Sequence, residues 1–175
     1  MLIDSLKFSG EKQSVRGALP VAGFDRLRDS LFAVAGDGGD ISYTLRGGAD
    51  ARDNPVLRLK VSGQLALQCQ RCLTALDYGL VIDTTLRLVP EASLDTEMSD
   101  DPDEPDCIAA STELDLVALI EDEILLALPA YPRHEEGRCN YGSGAESEAG
   151  RKQVSAFGAL SELGALKQKE FKSKE

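Results

Sequence analysis

The chain has 175 residues, enough for one ordinary core but too few for two full domains once its polar stretches are set aside. Hydrophobic residues make up 42% while aromatics reach only 5% and Trp is absent, so the core must be built from Leu, Val, Ile and Ala. A formal net charge of -11 repels bare phosphate backbone unless basic residues gather on one face, and a basic protein partner is electrostatically easier.

The opening Met1-Leu2-Ile3-Asp4-Ser5-Leu6-Lys7 lacks a basic region followed by a long apolar run. No later stretch approaches the roughly 20 apolar residues of a membrane span, so the expectation is a soluble cytoplasmic protein with no membrane partner. Four cysteines are too few for a disulfide scaffold, and two of them form Cys69-x-x-Cys72, which favours metal or free thiol over disulfide.

In chain order, Ser14 to Val21 reads as a short strand. Phe24, Leu27, Leu31 and Val34 then recur at three and four residues, which predicts a helix closed by Gly36, Gly38 and Gly39. Asp40 to Arg46 is a second short strand. At 56–68, Leu57, Leu59, Val61, Leu65 and Leu67 alternate with Arg58, Lys60, Ser62, Gln64 and Gln68, the pattern of a half-buried strand. The pattern repeats with Leu76, Tyr78, Leu80, Ile82, Leu86 and Leu88 opposite Asp77, Asp83, Thr85 and Arg87, giving a long hairpin with Cys69-Gln70-Arg71-Cys72 at its turn.

Residues 91–106 carry Glu91, Asp95, Glu97, Asp100, Asp101, Asp103, Glu104 and Asp106 with no Lys or Arg, as expected of a mobile, solvated acidic loop. A second helix follows: Leu116, Leu119, Ile120, Ile124 and Ala127 mark its buried face, Asp115 caps it and Pro129 stops it. From Gly142 the chain is rich in Gly, Ser, Ala and Glu; residues 151–175 then set six Lys or Arg against three Glu. The expected architecture is α+β: an antiparallel sheet with a long central hairpin, packed with two helices, forming one domain over residues 1–140 with a flexible basic tail at 141–175.

Cys69, Cys72, His134 and Cys139 form a candidate zinc set, because zinc favours four tetrahedral thiolate or imidazole ligands and a two-residue gap lets neighbouring thiolates reach one ion. Arg71, Arg133 and Arg138 lie close in sequence and could offset the remaining negative charge. Alternatively, Cys69 simply continues the apolar face of its strand while Cys72 and Cys139 are free thiols; Cys107 could replace His134 in the ligand set, but its position just after the acidic loop disfavours it. A redox pair is disfavoured because thioredoxin-like cysteines sit at a strand-to-helix transition, and strands flank both sides here.

Catalytic signals are sparse. His134 is the only histidine, Ser143 lacks the strand-turn-helix setting of a nucleophile elbow, and no phosphate-cradling glycine loop occurs. Glu121, Asp122 and Glu123 fan around the helix; the first two read as a solvated face, while Glu123, nearer the apolar side, could orient a neighbour. Pro129-Ala130-Tyr131-Pro132 reads as a rigid helix exit rather than a recognition motif. Phe157, Leu160, Leu163 and Leu166 could lay an apolar stripe on a partner or fold back on the sheet.

Three stretches in order resemble the YceD family of large ribosomal RNA subunit accumulation proteins. They are Leu67-Gln68-Cys69-Gln70-Arg71-Cys72-Leu73; Leu114-Asp115-Leu116 with Ile120-Glu121-Asp122-Glu123-Ile124-Leu125-Leu126-Ala127-Leu128-Pro129, then Pro132, His134 and Cys139; and Phe157-Gly158-Ala159-Leu160 with Leu163. Some members carry an extended cysteine cluster after the proline segment; this chain resembles the branch with a single late His and Cys. The resemblance implies a role in synthesis, processing or stability of large-subunit (23S) ribosomal RNA. It motivates an expectation of binding rather than catalysis. In that expectation Asp100, Asp101, Asp103 and Glu104 engage a basic ribosomal protein, while Phe157, Leu160 and Leu163 contact the pre-ribosomal particle. The alternatives are direct ribosomal RNA binding through the tail with Arg58 and Lys60, or a metal- or thiol-dependent enzyme using Cys69 and Cys72.

Overall fold

The computed structural model describes residues 1–32, 39–97, 101 and 104–139. Its main sheet has five strands in the order β2-β3-β4-β5-β6: β2 (Ser14–Pro20), β3 (Asp40–Ala49), β4 (Pro55–Gln68), β5 (Ala75–Val89) and β6 (Asp106–Ala109). A two-stranded ribbon pairs β1 (Leu2–Ile3) with β7 (Leu114–Asp115). The helices are α1 (Ser5–Gly10), the single-turn α2 (Leu94–Glu97) and α3 (Leu116–Ala127).

The long hairpin forms as its alternation predicts. β4 and β5 pair antiparallel from Val56↔Arg87 to Gln68↔Ala75, and one face of each buries Leu57, Leu59, Val61, Leu65, Leu67, Leu80, Ile82, Leu86 and Leu88. Because the side-chain period is two, this register turns Arg58, Lys60, Asp83 and Thr85 together onto the outer face. α1 and α3 cover the inner face. α1 lies so close to β3 that a Cβ at Gly47 would collide with the Phe8 carbonyl oxygen, which explains a residue without a side chain there.

α3 is capped where expected: the Asp115 carboxylate accepts from the Val117 amide at 3.0 Å. Its end is set by Pro129, since Leu128 is already extended, as a residue before proline must be. Leu116, Leu119, Ile120 and Ile124 are buried as anticipated, but Ala127 is exposed and Glu121 is buried.

Three departures have physical causes. The helix expected over Phe24 to Val34 is instead two 3-10 turns, Val21–Gly23 and Leu27–Ser30, followed by extended backbone at Leu31; Val34, Gly36 and Gly38 lie outside the described residues. Phe24 and Leu27 are buried, so the apolar spacing is real. The Arg26 and Leu27 amides, however, donate to the Glu121 carboxylate, and Phe32 donates to the Ala66 carbonyl, drawing the chain onto the edge of β4. The other helix packed on the sheet is therefore α1, which the sequence pattern does not anticipate and whose start is capped by Asp4. Finally, β6 runs parallel to β5, which requires a long crossover connection, and the acidic stretch supplies it. Glu91–Ser93 and Leu94–Glu97 are short helical turns and Asp106 opens β6, so both ends of that stretch are built into the fold.

Candidate metal centre

β4 ends at Gln68 with Cys69 fully buried beneath it, and the chain reverses through a tight turn before β5 begins at Ala75. The Leu73 amide donates to the Cys69 carbonyl at 2.9 Å and the Cys69 amide to the Thr74 carbonyl at 3.0 Å. Leu73 closes the turn in the left-handed region, at φ 60°. The segment after α3 folds back onto this knuckle: the Gln70 amide donates to the Pro132 carbonyl at 2.9 Å, which places His134 and Cys139 over the two turn cysteines.

The four sequence-predicted ligands converge. Their donor atoms all lie within 4.8 Å of one another. Cys69 Sγ is 3.8 Å from Cys139 Sγ, and His134 Nδ1 is 3.4 Å from Cys72 Sγ and 3.9 Å from Cys139 Sγ. An ion about 2.3 Å from each sulfur and about 2.0 Å from an imidazole nitrogen would centre a tetrahedron with S···S edges of about 3.8 Å and S···N edges of about 3.5 Å. The Cys69–Cys139 and Cys72–His134 separations match those edges, and the Cys139–His134 separation of 3.9 Å is somewhat longer. His134 Nε2 lies 3.0 Å from the Ala75 carbonyl, which can only accept, so Nε2 carries the proton and Nδ1 turns its lone pair toward the sulfurs.

The electrostatics of the cluster are uneven. Burial opposes ionisation of Cys69, yet the amides of His134, Cys72 and Arg71 bring its pKa down to about 5. Hydrogen bonds from the Thr74 side chain and amide lower Cys72, the hydroxyl lying 3.1 Å from the sulfur. The Cys69 thiolate raises His134, and burial with the neighbouring sulfurs pushes Cys139 up to about 11. The pocket thus favours the first negative charge and resists the next, a resistance that a bound divalent cation would reverse.

Cys107 lies elsewhere, in β6, with its sulfur 3.1 Å from Arg87 Nη2, and is not part of the cluster. Of the arginines near the ligands, Arg138 pairs with Glu135 at 3.2 Å. Asp101 and Glu104 lie within the acidic crossover, with Glu104 3.4 Å from Arg52; Asp100, Asp103, Phe157, Leu160 and Leu163 lie outside the described residues.

Glu121 is not the solvated residue its position suggested. Its side chain is 9% exposed and accepts from the amides of Arg26 at 2.7 Å and Leu27 at 3.0 Å and from Arg26 Nε at 3.0 Å. A carboxylate one residue from Ile120 on an otherwise apolar helix face was the available signal. Thr74 and the Ala75 carbonyl, which orient the ligands, leave no mark in the sequence. Glu123 is half-buried, and burial together with the Asp106 and Asp122 carboxylates raises its pKa.

The fold and site define a mixed α+β protein whose central hairpin carries a Cys3His cluster at its turn. The family profile described as large ribosomal RNA subunit accumulation protein YceD matches residues 57–166, which include all four cluster residues. The chain belongs to the YceD family. A Haemophilus influenzae protein described as "Large ribosomal RNA subunit accumulation protein YceD" is 28% identical over 173 residues, spanning 98% of this chain and 91% of that protein. No solved structure matches. Among the described residues, no helix is long and apolar enough to cross a membrane.

Proposed function

We propose that this protein promotes accumulation of large-subunit (23S) ribosomal RNA in the cytoplasm by binding rather than by catalysis, and that a structural zinc ion held by Cys69, Cys72, His134 and Cys139 keeps its working surface in shape. The observation that carries the reading is the donor count. Four protein donors converge within 4.8 Å of one another, and a set of four saturates zinc, whereas catalytic zinc keeps one position open for water or substrate. The printed name of the Haemophilus influenzae relative supports the ribosomal role.

In this reading residues 1–140 form one domain, followed by a basic tail at 141–175. The acidic crossover, through Asp100, Asp101, Asp103 and Glu104, engages a basic ribosomal protein, and Phe157, Leu160 and Leu163 contact the pre-ribosomal particle. Eight carboxylates without a Lys or Arg between residues 91 and 106 support an electropositive partner.

The test is depletion in the native host, with the ratio of large- to small-subunit ribosomal RNA measured across a gradient. The expected result is a selective fall in large-subunit RNA, restored by the wild-type chain and only weakly by one neutralised at Asp100, Asp101, Asp103 and Glu104. An unchanged ratio on depletion overturns the ribosomal reading. Full rescue by the neutralised chain overturns the role of the acidic segment.

A further inference from the structure

The outer face of the main sheet departs from the acidity of the chain. The strand registers align Arg16 with Thr44, Lys60 and Asp83 in one row, and Ser14 with Arg46, Arg58 and Thr85 in the next. Directly opposed residues share a face, so the rows set Arg16, Arg46, Arg58 and Lys60 side by side, and all four are exposed. Together with Lys12, Arg46, Arg58 and Lys60 line an open trough of about 940 Å³ whose only acid is Asp83. Lys60 pairs with Asp83 at 2.7 Å; among the described residues, Lys12, Arg16, Arg46 and Arg58 have no ion-pair partner.

Arg46 and Arg58 are direct cross-strand neighbours. Like charges in that position destabilise a sheet, and in a chain of net charge -11 carboxylates are plentiful enough to have neutralised them. Two adjacent, unneutralised guanidinium groups instead present planar donor forks that match phosphate oxygens.

We propose that this outer face, centred on Arg46, Arg58 and Lys60, is a contact surface for the phosphate backbone of structured RNA. The inference deepens the ribosomal reading above by assigning the RNA to a particular face. The lining favours RNA over an acidic protein. The trough lining holds no large apolar side chain, and the exposed Val81 on the same face is a single apolar side chain rather than the cluster that anchors a protein interface, while Gly48, Thr44 and Thr85 let a backbone approach the sheet closely. The absence of an aromatic from the trough points to phosphate and ribose contact rather than to stacking on unpaired bases.

The test measures binding of the purified full-length chain to a synthetic RNA hairpin across a salt series. Each phosphate contact adds about 0.7 to 0.9 to the slope of log affinity against log salt. Arg46→Gln/Arg58→Gln/Lys60→Gln is therefore expected to flatten the slope by about 2 and weaken binding at least about tenfold at moderate salt. Asp83→Asn, which frees Lys60, is expected to tighten binding, so a gain accompanies the loss and a folding defect cannot explain both. The tail variant Lys167→Gln/Lys169→Gln/Lys172→Gln/Lys174→Gln is expected to keep most of the affinity, and a hairpin of scrambled sequence to bind equally well. The proposal is overturned if the wild-type chain does not bind the hairpin, or if the triple variant binds like wild type. Loss of affinity only in the tail variant overturns it too, as does polyaspartate competing as well as RNA charge for charge, which would assign the face to an acidic protein. Because binding is read on purified protein, its failure is separate from failure of the depletion phenotype.

Discussion

If the Cys3His cluster holds the proposed zinc, removing it should loosen the whole domain, and the size of the effect follows from the chain lengths that the centre closes. Cys72 and His134 are 62 residues apart, and Cys69 and Cys139 are 70 apart. Cross-linking a loop of that length removes about 4 kcal/mol of chain entropy from the unfolded state, if the metal clip acts as a covalent tie. With a urea slope of about 2 kcal/mol per molar, chelation should lower the unfolding midpoint by about 2 M. The assay is urea unfolding followed by far-ultraviolet circular dichroism, under reductant throughout, on protein whose metal content is measured by mass spectrometry after purification without chelators. His134→Ala should reproduce most of the loss by removing a ligand and its bond to the Ala75 carbonyl, whereas Cys107→Ser should leave zinc content unchanged. Substoichiometric zinc, or a midpoint that moves by less than about 0.3 M on chelation, would refute the reasoning.

Glu121→Gln should cost about 1.5–3 kcal/mol at neutral pH in chemical denaturation, because charge-assisted hydrogen bonds to the Arg26 and Leu27 amides are weakened. Burial raises the Glu121 pKa, but the Leu27 amide and Arg26 outweigh it, so the carboxyl sits below its ordinary 4.5. Its stabilisation is therefore present above 4.5 and lost as pH falls through the lower folded value, so wild type and variant should converge in stability on acidification. Gly47→Ala should cost about 1–3 kcal/mol in a thermal melt by forcing α1 away from β3. Leu73→Gly should stabilise by about 1 kcal/mol, since Leu73 is held at φ 60° with its side chain 63% exposed, and zinc content should not change.

What the sequence made legible was whatever rests on local periodicity. The β4–β5 hairpin and α3 are long, one-sided and bounded by turn or cap residues, so their patterns have one reading. The stretch from Phe24 to Leu31 shows the limit of the same logic. Apolar residues three and four apart fit two 3-10 turns as well as an α-helix, and the choice was made by Glu121, about 95 residues away in the chain. The four residues of β6 carry no alternation, and their parallel pairing depends on the crossover rather than on their own composition. At the metal centre the donor types and the Cys-x-x-Cys gap were visible, but the approach of His134 and Cys139 depends on the Gln70–Pro132 hydrogen bond and on the exit direction of α3.

The same topology explains how so acidic a chain keeps a basic face. Adding β6 parallel to β5 sends the connection through residues 90–105, so most of the acidic stretch lies between these two strands in the chain, with Glu104 reaching Arg52 at 3.4 Å. Arg16, Arg46 and Arg58, without ion-pair partners among the described residues, lie on the outer positions of β2, β3 and β4, and Lys12 in the turn before β2. Net charge is then an average over two regions of opposite sign, and at physiological salt the screening length is about 8 Å. Strands lie about 4.8 Å apart, so β4, which carries Arg58 and Lys60, is about 10 Å from β6, a little over one screening length, while β2 at the opposite edge is more than two away. The two regions are therefore only partly screened from one another, so reducing the negative charge of residues 91–106 should modestly raise RNA affinity while leaving the salt slope, which counts phosphate contacts on the outer face, unchanged.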